Sequence, residues 1–164
     1  MSKSEIVFRR IAPGDVRFAW DLNESEVPHL GSETWEEFNR LCAISVHAQL
    51  ALVDQAPAGF VLGMTTDAAY DSPNFLYFRR RYTKFLYVDR IAVAPPFRKR
   101  GVGASLYLDA ESYARDAGLT LLCCEVNLRP PNPGSLAFHT RLGFSQVGEQ
   151  DADGKRVAML VKHL

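Results

Sequence analysis

The stretch Arg98-Lys99-Arg100-Gly101-Val102-Gly103 places three cations and two glycines just after an apolar run closed by Pro95 and Pro96, and just before a helical pattern. That composition suits an anion. Glycines let successive backbone N–H groups turn toward one point, a helix start adds its positive dipole end, and the cations add full charges. Three phosphate-binding readings compete. A P-loop needs Gly-Lys-Ser/Thr, but Gly103 is followed by Ala104-Ser105. A dinucleotide fingerprint needs G-x-G-x-x-G directly after the strand. Here the third position is Leu106 and residues 94–100 intervene, although Glu125 stands about where a ribose-binding acid would. The third reading is an Arg-x-x-Gly-x-Gly loop over 98–103 that cradles a pyrophosphate. A glycine-rich helix entry with a solvated basic edge is the plainer alternative.

The elements around this loop follow from periodicity. Residues 85–93 form a strongly apolar strand. Val102, Leu106, Ala110, Tyr113 and Ala117 recur every three or four residues, which is one face of a helix, and Gly118 is its natural stop. Residues 119–126 read as a second buried strand, so 85–126 is a right-handed crossover with parallel strands. Residues 133–142 form a short helix ended by Gly143. Strands at 144–150 and 155–162 flank Asp153-Gly154, a hairpin signal. Upstream lie a strand at 5–11, a helix at 13–23 and a segment broken by Pro28 and Gly31. A capping box at Thr34-x-x-Glu37 then opens a second helix. Two strands, 49–53 and 59–65, meet at 54–57. Residues 67–82 read as a long aromatic and basic connection, and loops of that length are uncommon unless functional. The sum is an α/β chain with a mixed sheet and helices packed on it.

Length and composition bound the function. The chain has 164 residues, 47% of them apolar and 23% charged, which fits one soluble domain. A domain of this size buries roughly 70% of its unfolded surface without needing metal or disulfides. Net charge is zero, which argues against a nucleic-acid partner or an anionic membrane. Cys42, Cys123 and Cys124 form no C-x-x-C pair. A reducing, cytoplasmic setting fits, and no metal site is expected. His29 and His47 lack ligand spacing, and no apolar run approaches the ~18 residues of a membrane span. No signal-peptide pattern is read at the N-terminus.

The loop does not stand alone. Tyr87-Val-Asp-Arg-Ile-Ala-Val-Ala-Pro95 precedes it, and Asn132-Pro-Gly-Ser-Leu-Ala-Phe-His-Thr-Arg-Leu-Gly-Phe144 follows after one more strand. This combination resembles the GNAT superfamily of acyl-CoA N-acyltransferases, closely over 85–145 and in element order elsewhere. The resemblance implies a single domain over 1–164, with a mostly antiparallel sheet and helices on both faces. It also implies a parallel, V-shaped splay between strands 85–93 and 119–126. The co-substrate is then acetyl-CoA or another acyl-CoA. The main chain of Ile91, Ala92 and Val93 pairs with the pantetheine arm as an added strand would. The pyrophosphate rests on Arg98, Lys99, Arg100, Gly101, Val102, Gly103 and Ala104, with Lys99 or Arg100 free to meet the 3′-phosphate. Asn132 and Ser135 help hold the arm.

The implied chemistry is attack of a neutral amine on the thioester. The acceptor is an amine of a small molecule or a peptide. Asp89 and Glu125 compete as general base, and Glu24 and Glu26 are weaker candidates for holding the amine. Many members carry a tyrosine in the helix before Leu-Gly-Phe that protonates the leaving thiolate; His139 stands there in this chain, either as that acid or as a residue that caps or packs against the cofactor without chemistry. Tyr107 and Tyr113 read as packing residues. Asn127 caps a strand end or touches the acceptor. The run Arg79-Arg80-Arg81 reads as a solvated loop, or as part of an acceptor pocket or an inter-subunit surface, so a homodimer is compatible with it. A non-catalytic module that binds acyl-CoA is the rival to the enzyme.

Overall fold

In the computed structural model, which describes residues 4–164, the elements run β1 (Ile6–Arg10), α1 (Val16–Ser25), α2 (Trp35–Ile44), β2 (His47–Val53), β3 (Ala56–Met64), α3 (Pro73–Arg79), β4 (Phe85–Val93), α4 (Val102–Asp116), β5 (Leu121–Arg129), α5 (Pro133–Arg141), β6 (Ser145–Ala152) and β7 (Lys155–His163). The strands form one sheet in the order β1-β2-β3-β4-β5-β7-β6. Among the described residues only β4 and β5 pair in parallel. The mixed, mostly antiparallel sheet expected from the sequence is therefore present.

The segment 67–82 is corrected. It contains α3, opened by Pro73 at its first turn. Phe75 and Phe78, three residues apart, are both fully buried. Seven residues are too few for a self-supporting helix, so packing of these two rings holds it. The arginine run at its end hid the period. The turn between β2 and β3 is also tighter than expected. Asp54 (φ 48°) and Gln55 (φ 70°) make it alone, and Ala56 and Pro57 already belong to β3.

The sheet divides the core into two layers. Side chains of α1, α2 and α3 meet Phe60, Phe85, Tyr87 and Cys123 on one face. Side chains of α4 and α5 meet Leu86, Val88, Cys124 and Val126 on the other. Cys123 and Cys124 thus point to opposite faces, as adjacent strand residues must. The residues of β4 keep this alternation up to Val88. Leu62 then faces Arg90 and Gly63 faces Val88, so Asp89 is an extra residue, a β-bulge. Beyond it the alternation is inverted, and Arg90 points into the α1–α2 layer.

Arg90 is 6% exposed. Its Nε donates to Asp89 (3.1 Å), and one Nη donates to Asn23 Oδ1 (2.9 Å) and the Gly31 carbonyl (2.7 Å). The other Nη meets the Glu33 carboxylate. These bonds fix the irregular segment between α1 and α2 onto the bulge. Replacing Arg90 with Met removes the cation and leaves Asp89 and Glu33 facing one another. Loss of one partner of a buried pair costs about 3–5 kcal/mol. Urea denaturation of Arg90→Met is expected to show a loss of that order, and a loss below about 1 kcal/mol would contradict this account.

Candidate active site

β4 and β5 pair through Phe85↔Leu121, Leu86↔Leu122 and Tyr87↔Cys123, and no further. β3 holds β4 as far as Val93, and β7 holds β5 as far as Arg129. The two strands therefore part like a V. Ala94 N–H donates back to β3 at Ala58 (2.8 Å). Backbone groups alternate sides along a strand, so the N–H and C=O groups of Ile91 and Val93 face into the V. Apart from the Val93 carbonyl, those groups are an open ladder edge. Arg98 Nε donates to the Val93 carbonyl (3.2 Å).

At the mouth of the V lies the loop. Lys99 (φ 60°) and Gly101 (φ 80°) are both left-handed, and that alternation turns neighbouring N–H groups toward a common centre. Gly101 caps α4, whose first N–H groups have no intrahelical acceptors. A Cβ on Gly103 would meet Phe138 at 3.2 Å and Val93 at 3.7 Å, so the glycine lets α4 approach β4 and α5. These residues fit a pyrophosphate followed by an extended, amide-bearing arm.

A cavity of about 650 Å³ runs from this loop through the V, ample for such a ligand. Ile91, Ala92, Val93, Arg98, Lys99, Gly101, Val102, Gly103, Ala104, Asn132 and Ser135 all line it. Arg100 does not: its guanidinium reaches the Ser4 hydroxyl (2.7 Å) and lies 5.5 Å from the Phe97 ring. Asn132 caps α5, accepting from Ser135 N–H (3.4 Å). Glu26 meets Arg98 across the mouth, joining the α1–α2 segment to the loop.

The two carboxylates at the V have different company. The Asp89 side chain is 4% exposed; Oδ2 faces Arg90 and Oδ1 accepts from the Tyr70 hydroxyl (2.9 Å). Both of its oxygens are engaged. Glu125 has no cation in direct contact, and its oxygens share the Tyr87 hydroxyl at 2.9 and 2.8 Å. Burial first, and the Asp89 charge second, push Glu125 up to about 8, against the pull of the Tyr87 and Asn74 hydrogen bonds and of Arg90. Glu24 is engaged by Ser32, Asn23 and Glu33 N–H, so the structure does not leave it for an amine. Asn127 donates to the Pro28 carbonyl (2.9 Å), as does Lys155 (2.7 Å), which pins the α1–α2 segment over this face.

On the opposite face, the expectation for His139 needs correction. Its Nδ1 lies 2.7 Å from the Ser135 carbonyl, which only accepts, so Nδ1 carries the proton. The neutral ring then accepts at Nε2 from the Tyr107 hydroxyl, 2.6 Å away. Burial lowers the proton affinity of His139, with the Ser135 carbonyl opposing it. The ring holds no proton directed into the cavity at neutral pH. Tyr107, read from the sequence as packing, lines the cavity and carries the hydroxyl. Its position on the buried stripe of α4 masked it; the polar partner comes from α5. Tyr113 does pack, 5.0 Å from the His47 ring and away from the V. Among the described residues no group of three His, Cys, Asp or Glu side chains is placed to hold a metal. No described helix is long and apolar enough to cross a membrane.

The raised Glu125 has a consequence for stability. The folded state keeps this proton to about 8, whereas the unfolded carboxyl releases it near 4.5. Its contribution is therefore fully present below about 4.5 and is lost as pH rises through about 8. The melting temperature of wild type is expected to fall over that window relative to Glu125→Gln, which keeps the shape and cannot ionise. Parallel melting curves of the two across the window would refute the raised value.

Comparisons with known proteins agree with this geometry. The chain is similar in structure to Ard1 from Thermoplasma volcanium, with 17% identity, 97% of each chain covered and a TM-score of 0.78. It is similar to the ribosomal-protein-S18-alanine N-acetyltransferase from Escherichia coli, with 14% identity, 97% of this chain and 94% of that one covered, and a TM-score of 0.75. It is also similar to N-acetylglutamate synthase from Neisseria gonorrhoeae complexed with coenzyme A and N-acetyl-glutamate. There the identity is 17%, the match covers 99% of this chain and 36% of that one, and the TM-score is 0.74. At such identities the likeness concerns the fold. No curated protein matches in sequence. The model of the acetyltransferase (GNAT) family, however, matches residues 16–144. With that match over most of its length, and a glycine loop, an open strand edge and a splayed parallel pair in one cavity, the chain belongs to the GNAT acetyltransferases, whose common activity is acyl transfer from acyl-CoA.

Proposed function

We propose that the protein transfers an acetyl group from acetyl-CoA to a primary amine of a small molecule or a peptide by direct attack on the thioester. The observation that carries this reading is the continuity of one cavity. It joins the loop at 98–104 and the open edge of Ile91 and Val93 to a carboxylate, Glu125, at the apex of the V. A module that only bound the cofactor would have no use for a carboxylate held there. The similar structures named above act on a protein alanine in one case and are bound to N-acetyl-glutamate in another, so both acceptor classes are carried here.

The residues divide the work. The loop takes the pyrophosphate on backbone N–H groups and on the cations of Arg98 and Lys99. Ile91 and Val93 take the arm's amides through their main chain, which leaves the thioester where the strands meet. A main-chain N–H of the 89–92 segment, with that of Ile91 directed into the V, stabilises the developing oxyanion. Glu125 removes the proton that the amine must lose, directly or through one water. Asp89, occupied by Arg90 and Tyr70, keeps the bulge in shape and raises Glu125 through its charge.

Acetyl-CoA incubated with a panel of small amines and short peptides should release thiol with at least one acceptor. That rate should rise with pH through about 8, as Glu125 loses its proton. Glu125→Gln should lower turnover by roughly 10²–10⁴-fold and abolish this limb. Saturable acetyl-CoA binding without turnover on any amine would favour the binding module. Gly101→Asp places a side chain and a negative charge where backbone must approach pyrophosphate, at a φ of 80° that strains any L residue. The folded variant should lose thermal stabilisation by acetyl-CoA, and stabilisation equal to wild type would displace the cofactor from this loop.

A further inference from the structure

We propose that Gln150, on the outer strand β6, is a positioning residue for the reaction: it orients the Asn74 side chain as a hydrogen-bond donor to Glu125. This rests on the reading of Glu125 as the base. Residues directly opposite in an antiparallel ladder point to one face of the sheet. Glu125 pairs with Met159, which pairs with Gly148; Asn127 pairs with Val157, which pairs with Gln150. The side chains of Glu125 and Gln150 therefore stand on the same face, with β7 between their strands. Met159 and Val157 belong to the core layer of α1, α2 and α3, so α3 covers that face. The gap is two strand spacings, roughly 10 Å. That is too far for direct contact, but one side chain from above can bridge it.

α3 supplies that side chain. A Cβ on Gly148 would overlap the Tyr77 hydroxyl, so the glycine lets α3 lie across β7 onto β6. Asn74 stands one turn before Tyr77 on the same helix. Gln150 Nε2 donates to Asn74 Oδ1 (2.8 Å). An amide whose oxygen is engaged keeps its NH2 to donate, and Asn74 hydrogen-bonds Glu125. The two ends of an amide have nearly the same shape. Without Gln150 the Asn74 amide is free to turn end for end, and its oxygen would then face Glu125. An oxygen there accepts from the protonated acid and repels the carboxylate.

Burial and the Asp89 charge push Glu125 up, while the hydrogen bonds of Tyr87 and Asn74 draw it down. The other groups around it keep their charge through the window near 8. On β4, Asp89 is paired with Arg90, and burial holds the Tyr87 phenol un-ionised. Glu33, from the α1–α2 segment, is held by Arg90. Tyr70, ahead of α3, is un-ionised by burial as well. So are Cys123 and Cys124 on β5 and Tyr107 on α4. β7 contributes Met159, which is apolar. A change in the titration of this site therefore reports on Glu125 and its donors.

The test reads Glu125 itself and then the rate. The carbon-13 resonance of its carboxyl, assigned by its loss in Glu125→Gln, is titrated without ligands. The proteins are wild type, Asn74→Leu, Gln150→Leu and the double variant. Asn74→Leu should raise the midpoint by about one pH unit, the scale of a lost hydrogen bond to a charged group. Gln150→Leu should raise it in the same direction and add nothing in the Asn74→Leu background, because it acts through Asn74. The alkaline limb of turnover should move up with the midpoint, so that the rate at pH 7 falls about tenfold per unit. A mere packing defect would lower the rate at every pH alike and leave the midpoint in place. A midpoint unmoved by Gln150→Leu, or moved equally with and without Asn74, overturns the proposal. A midpoint that moves while the limb stays would instead overturn the reading of Glu125 as the base.

Discussion

Backbone N–H and C=O groups that leave a ladder must find another partner or water, and β4 and β5 leave theirs after Tyr87 and Cys123. Each strand stays paired on its outer side, β4 with β3 and β5 with β7, so neither can turn to close the gap. The site consists of what that parting exposes. An unpaired edge suits an amide-bearing arm, and the loop at its mouth suits the phosphates that precede such an arm. The apex brings together side chains from both core layers.

The bulge at Asp89 keeps the parting in place. By adding one residue it turns Arg90 into the α1–α2 layer, where Asn23, Gly31, Glu33 and Asp89 use its donors. The buried guanidinium therefore ties an otherwise irregular segment to the strand that forms one arm of the V. The same network sorts the two carboxylates. Asp89 has a cation and a hydroxyl on its oxygens. Glu125 sits without such a cation and is raised by burial. A carboxylate that must take a proton from an amine is better placed the closer its affinity comes to the working pH.

The α1–α2 segment is fastened at further points. Pro28 is held by Asn127 and Lys155, Trp20 donates to the Glu33 carbonyl, and Glu26 meets Arg98. The last of these contacts joins the α1–α2 segment to the loop at 98–103. Arg98 thus meets a carboxylate of the protein at the rim of the cavity.

Much of this was legible in the chain. The loop at 98–103, the crossover around it and the hairpin at Asp153-Gly154 are written in short-range patterns, where neighbouring residues set the local φ/ψ and the burial period. The resemblance over 85–145 rests on the same local motifs, and the residues it names for the cofactor, save Arg100, line one cavity. Roles that depend on company were not legible. Asp89 and Glu125 are both strand carboxylates in the sequence, and only burial and partners separate them. Tyr107 looked like one more residue on an apolar stripe, and His139 like a free acid. They meet at 2.6 Å across 32 residues of chain because α4 and α5 pack on the same sheet face. Sequence fixes which groups a residue carries and the local path of the backbone. Which lone pair a proton faces depends on distances between elements far apart in the chain, and only the packed fold decides those.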